Sequence, residues 1–107
     1  MTDVQVIQTG AQATIILGGK LAAANVPTLK SELKRLIGAG VTSLLVDCAQ
    51  LTLLDSTGIG CLVAAHNSLA KTNGTLALNQ VPADIHELLC TLRLDRRMRI
   101  SPLAEAQ

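Results

Sequence analysis

The run Leu54-Asp55-Ser56-Thr57-Gly58-Ile59-Gly60 places a carboxylate beside two hydroxyls where an apolar stretch gives way to a helical pattern. Upstream, Ser43-Leu44-Leu45-Val46-Asp47 reads as a strand; downstream, Ile59, Leu62, Val63, Leu69 and Ala70 recur at helical spacing. A helix start presents unpaired amide N–H groups and the positive end of the helix dipole, so negative charge is stabilised there. A phosphoryl group on Ser56 would meet that environment, which makes the residue a candidate switch. The same residues also suit a plain N-cap, with Asp55 or Ser56 satisfying the first turn for about 1 kcal/mol. Gly58 and Gly60 favour more than a cap. Each costs a helix roughly 0.5–1 kcal/mol relative to alanine, so close approach of another surface is expected there.

Other residue pairs carry less chemistry. His66 falls among Leu62, Val63, Leu69 and Ala70 and reads as a ring satisfied at the core edge. Pairing it with Ser56 as base and nucleophile would require reach over nearly three helical turns, and no Gly-x-Ser-x-Gly elbow exists. Asp55-Ser56-Thr57-Gly58 holds one residue too many for the Asp-Thr/Ser-Gly of dimeric aspartic proteases, and amphipathic helix patterns contradict an all-β protease. His86 and Cys90 stand four apart on one helix, but two ligands do not make a metal site, so a packed thiol and a solvent-facing ring are expected. The cluster Asp95-Arg96-Arg97-Met98-Arg99 reads as a solvated loop. No catalytic group, metal or cofactor is expected.

The elements that must position Ser56 follow from the rest of the chain. With 107 residues, the expectation is one domain spanning 1–107, large enough to bury a core without disulfides. At 49% hydrophobic, 16% charged and a net charge of +1, it lacks the basic field of a nucleic-acid binder. The absence of Phe, Tyr and Trp removes base-stacking platforms and leaves the core to aliphatic side chains. Cys48, Cys61 and Cys90 are odd in number, lack C-x-x-C spacing and follow an opening Met-Thr-Asp-Val-Gln without a leader pattern, so reduced thiols and a cytoplasmic location are expected. The longest apolar runs, Leu44 to Val46 and Cys61 to Ala65, fall far short of the roughly 20 residues that span a bilayer, so no membrane insertion is expected.

Val4, Val6 and Ile7, then Ala13 to Leu17, predict an antiparallel hairpin with a loop longer than two residues, closed by Gly18 and Gly19. Asn25 can cap a helix with Pro27 in its first turn; Leu29, Leu33, Leu36 and Ile37 form its stripe, ending at Gly38 and Gly40. Strand Ser43 to Asp47, an apolar connector Leu51 to Leu54, and a helix from about Thr57 to Lys71 stopping at Asn73-Gly74 come next. Thr75 to Asn79 is a strand, Pro82 leads into a helix carrying Ile85, Leu88, Leu89 and Leu92, and Met98 to Ile100 supplies a short last strand. Met1 to Asp3 and Leu103 to Gln107 read as loose ends. The fold class is α/β, a mixed sheet of about four to five strands with an N-terminal hairpin and helices packed against it.

Asp55-Ser56-Thr57-Gly58-Ile59-Gly60, preceded by Leu44-Leu45-Val46-Asp47 and followed by an Ala-rich helix, resembles the signature of bacterial anti-sigma factor antagonists, members of the sulfate transporter and anti-sigma factor antagonist (STAS) domain group. Gly18-Gly19-Lys20-Leu21, Gly74-Thr75-Leu76-Ala77-Leu78 and Leu92-Arg93-Leu94-Asp95 fit the pattern on either side. The resemblance implies a non-enzymatic regulator. Its unphosphorylated form binds a Ser/Thr kinase anti-sigma factor and frees the sigma factor; the kinase phosphorylates the serine after the aspartate, and a PP2C-type phosphatase reverses it. That serine is Ser56, with Thr57 the secondary acceptor. The implied partner-binding residues are Asp55, Ser56, Thr57, Gly58, Gly60 and Asn25. Many members carry an acidic residue soon after the Gly-x-Leu turn; this chain has Ala22, Ala23 and Ala24 there, with Asn25 the first polar group. The alternative implied by the same group is a constitutive structural subunit of a larger complex, such as a lipid-transport ATPase.

Overall fold

The computed structural model describes residues 3–103. Strands β1 (Asp3–Thr9) and β2 (Gln12–Leu21) form the hairpin, followed by α1 (Val26–Gly38), β3 (Ser43–Leu54), α2 (Ser56–Ala70), β4 (Thr75–Val81), α3 (Ala83–Thr91), a 3-10 turn at Leu94–Arg96, and β5 (Arg99–Pro102). The five strands lie in sequence order; β1 and β2 are antiparallel and every later pair is parallel. This is the mixed α/β sheet that the periodicities predict.

Register explains which face is buried. Ile15, Val46, Leu78 and Ile100 lie across from one another on successive strands, and the first three are sealed from solvent. Their neighbours Thr14, Leu45 and Ala77 occupy the opposite face and are only half-buried. Right-handed crossovers between sequential parallel strands put α1, α2 and α3 on the same side. They seal the first face with Leu29, Leu33 and Leu36, then Leu62, Ala65 and Leu69, then Ile85 and Leu89. Each fully buried leucine contributes roughly 1.5–3 kcal/mol, which is how a core without aromatic rings holds together.

Several local expectations change. The hairpin is closed by the two residues Gly10 and Ala11, not by a longer loop, since Thr9 pairs with Gln12. Gly10 takes the left-handed conformation (φ +61) that such tight turns require. Gly18 and Gly19 do not end β2, and Leu51 to Leu54 is not a connector. The two segments pair with each other through register shifts, extending β2 to Leu21 and β3 to Leu54. A bulge lets the ladder continue where sequence alternation is broken. A single residue, Asp55, therefore separates β3 from α2. Asp3 belongs to β1 and the Leu103 amide donates to the Val81 carbonyl at 2.8 Å, so neither is loose. Residues 1–2 and 104–107, also expected as loose ends, lie outside the described residues.

Cys48 sits in this core, and burial, reinforced by the nearby Asp47 charge, pushes its thiol up from 9.0 to about 12. Between those values the unfolded chain releases a proton that the folded chain keeps. Stability is therefore fully present below the lower value and falls by about 1.4 kcal/mol per pH unit above it. Denaturant titrations across that window should show this decline in the wild type and a shallower one in Cys48→Ala; equal slopes would remove Cys48 as its source.

Candidate functional site

Asp55 is the N-cap of α2, with extended backbone (φ −98, ψ 179). Its Oδ1 accepts the Gly58 amide at 2.9 Å, which satisfies one orphan donor of the first turn. Its Oδ2 accepts the Ala23 amide at 3.3 Å, tethering the loop between β2 and α1. Its own amide donates to the Leu21 carbonyl at 3.2 Å and its carbonyl accepts from Ile59 at 3.0 Å. Asp55 is thus a structural joint that uses all four of its polar groups. The two capping alternatives are thereby separated, because the cap is Asp55 and Ser56 is left over.

Ser56 stands at the first helical position and is exposed. Its hydroxyl makes no hydrogen bond among the described residues, and neither do the amides of Ser56 and Thr57. An acceptor oxygen, two free donors and the positive helix end therefore share one patch of surface. Thr57 is exposed beside it.

The two glycines have different reasons. Gly58 is buried, and a Cβ there would lie 2.9 Å from the Leu21 Cγ, the Leu21 carbonyl oxygen and the Leu54 Cδ1. Its smallness serves internal packing, and it presents no side to a visitor. Gly60 is exposed, with nothing within 4 Å of a Cβ built on it. No packing or backbone constraint accounts for Gly60, so it keeps the reading of a close-approach position.

Asn25 occupies the position before α1, but its side chain makes no capping bond. Its backbone is already helical (φ −103, ψ −19), and its amide donates to the Ala22 carbonyl at 2.8 Å. The backbone turn has replaced the side-chain cap. Asn25 lies in the loop that Asp55 tethers, so Asn25, Asp55, Ser56 and Thr57 gather at one end of the sheet.

Beyond Ser56 a trough of about 320 Å³ runs between α1 and α2, with Thr57 and Gly60 in its wall. Its apolar lining comes from Val26, Leu33 and Ile37 on one side and Cys61, Ala64 and Ala65 on the other. Lys30 and Lys34 stand on the α1 side. Burial raises the Cys61 thiol, while the positive charge of Lys30 lowers it. Helical periodicity did not reveal this trough. The available signal was that α2 carries no Asp, Glu, Lys or Arg in fifteen residues.

The remaining candidates are scattered. His66 is half-buried, but its Nδ1 is sealed without a partner, so the ring is not satisfied as expected. His86 is half-buried and lies against Cys90, Nδ1 to Sγ 3.6 Å, where a solvent-facing ring was expected. Among the described residues no group of three or more His, Cys, Asp or Glu side chains could hold a metal ion. Arg96, Arg97 and Arg99 are exposed around a buried Met98. Among the described residues no helix is long and apolar enough to cross a membrane.

The family described as "Mlab, STAS domain" matches residues 4–103. The chain belongs to the STAS domain family. No curated protein matches it by sequence. Among solved structures, this STAS domain superposes on an anti-sigma factor antagonist from Mycobacterium paratuberculosis with a TM-score of 0.84 at 16% identity, covering 95% of this chain and 86% of that one. The unphosphorylated form of the anti-sigma factor antagonist SpoIIAA gives 0.82 at 20% identity, with coverages of 92% and 87%. The phosphorylated form of SpoIIAA, the Bacillus cell fate determinant, gives 0.76 at 20% identity, with coverages of 92% and 90%. The murine anion transporter Solute Carrier 26 family member A9 contains the same fold, at a TM-score of 0.73 and 14% identity, over 92% of this chain and 17% of its own. At such identities the likeness establishes the fold alone.

Proposed function

We propose that this STAS domain is an anti-sigma factor antagonist in a partner-switching pathway. Unphosphorylated, it binds a Ser/Thr kinase anti-sigma factor in the cytoplasm and releases the sigma factor; phosphorylation of Ser56 abolishes that binding, and a PP2C-type phosphatase restores it. The whole chain, 1–107, acts as one such domain and is not itself an enzyme. The observation that carries this reading is the exposed, unbonded Ser56 hydroxyl at the start of α2, relieved of capping duty by Asp55.

In the transfer, Ser56 Oγ attacks the γ-phosphorus of ATP, the bond to the leaving ADP breaks, and the hydroxyl proton passes to a base of the kinase. The product adds about −1.5 to −2 charges at the helix start, where the amides of Ser56 and Thr57 can hold it. The partner then faces a bulky anion beside Asp55. Thr57 is the secondary acceptor, and Asn25, Thr57 and Gly60 complete the contact surface around Ser56. Gly58 acts in it from beneath, by letting α2 seat on Leu21.

A second reading is a constitutive structural subunit, for example of a lipid-transport ATPase. It is favoured by a fold of this kind forming part of an anion transporter. Incubation with the cognate kinase and ATP, followed by intact mass, separates the two. The first expects one phosphoryl group on the wild type and none on Ser56→Ala. Labelling that persists in Ser56→Ala removes the residue assignment, and an unlabelled wild type with fully functional Ser56→Ala supports the structural subunit.

A further inference from the structure

The trough between α1 and α2 combines features that water alone does not explain. Val26, Leu33 and Ile37 are large and apolar, and the opposing wall of Gly60, Cys61 and Ala64 is small, so depth is available for inserted side chains. Those α2 positions recur with Thr57 and Ser68 along one helical face, over a helix without a formal charge other than a titratable histidine. A helix that lacks charge on a surface-facing side is ordinarily covered by something.

Charge says what covers it. Lys30 and Lys34 are one turn apart and both line the trough, and neither has a carboxylate partner among the described residues. The nearest acid in sequence, Glu32, is bound by Arg35 at 2.7 Å. Helical spacing places that pair on the side of α1 away from Lys30 and Lys34. The positive field over the trough is therefore uncompensated, and Lys30 is felt at Cys61 across it.

We infer that this trough seats an amphipathic helix of an acidic protein partner, its large apolar side chains entering between α1 and α2 and its carboxylates pairing with Lys30 and Lys34. Helix-in-groove recognition has this form, with anchors at helical spacing and charge fixing the register. The inference rests on the partner-switching reading only in taking the partner at this end of the fold to be a protein. Its test uses neither Ser56 nor the kinase, so either can fail alone.

The probe is a synthetic amphipathic peptide of about four helical turns, leucines on one face, glutamates flanking them and one terminal tryptophan. The protein has no Trp, Tyr or Phe, so peptide fluorescence reports binding without background. Titration should give a saturable rise in anisotropy that weakens with added salt. Replacing the peptide glutamates by lysine, or using Lys30→Glu/Lys34→Glu protein, should lower affinity by about 10-fold or more. Ala64→Arg, at an exposed position in the trough wall, should abolish binding with an unchanged melting curve. Absence of saturable binding, equal binding of acidic and basic peptides, or undiminished binding by both trough variants would overturn the inference.

Discussion

Under the proposed function, Ser56→Asp should leave the fold at least as stable as the wild type while lowering affinity for a kinase anti-sigma factor by about 100-fold. The stability half follows from Asp55 already serving as cap and from a Ser56 hydroxyl with no bond to lose. A carboxylate in the first turn also interacts favourably with the helix dipole, by about 0.3–1 kcal/mol. The affinity half follows from placing an unpaired charge in a contact surface, where such groups typically cost about 2–5 kcal/mol. Ser56→Ala adds no charge and should keep near-wild-type affinity while losing phosphorylation. Calorimetric titration with purified kinase, paired with thermal melts, checks both halves. An unfolded or markedly weakened Ser56→Asp would mean that the side chain acts internally. Unchanged affinity would remove Ser56 from the contact surface.

Gly58→Ala and Gly60→Ala should shift stability in opposite directions although the residues are two apart. At Gly58 an added methyl meets three atoms at 2.9 Å, one of them a backbone oxygen at the end of β2. Relief requires the start of α2 to move off the sheet, and overpacking of this kind costs about 1–3 kcal/mol. That equals or exceeds the roughly 1 kcal/mol that alanine gains over glycine in a helix. At Gly60 the methyl enters open space, so only the propensity gain remains. Thermal melts should show Gly58→Val below Gly58→Ala and both below the wild type, with Gly60→Ala above it, at about 4 °C or more per kcal/mol. Parallel shifts at the two positions would contradict the packing described around Leu21 and Leu54.

The elements that carry Ser56 were legible because their signals are local. An apolar stripe of Ile59, Leu62, Val63, Leu69 and Ala70 at helical spacing and a polar cluster before it identify α2 and its start to within a residue. Assigning the cap to Asp55 was not possible from the chain alone, since either of two adjacent residues satisfies the same preference. The ends of β2 and β3 were obscured for a different reason. Gly18, Gly19, Gln50 and Thr52 interrupt alternation, and the two segments become strands only by pairing with each other across more than thirty intervening residues. Asn25 misled because its side chain is a good capping group, whereas the Ala22 carbonyl, which is invisible to composition, organises that turn. Periodicity shows which side of α1 and α2 is buried. It does not show the separation of the two helices, so the trough beside Lys30 and Lys34 emerged only in three dimensions.

The one-residue joint between β3 and α2 bears on how fast the proposed switch could respond. Asp55 is held by Leu21, Ala23, Gly58 and Ile59 at once, so the direction of the strand dictates that of the helix. Under the proposed function, a phosphoryl group on Ser56 would arrive on a rigid mount and act through its own bulk and charge. No refolding barrier would then intervene, and the response time of the proposed switch would belong to the enzymes that write and erase the mark.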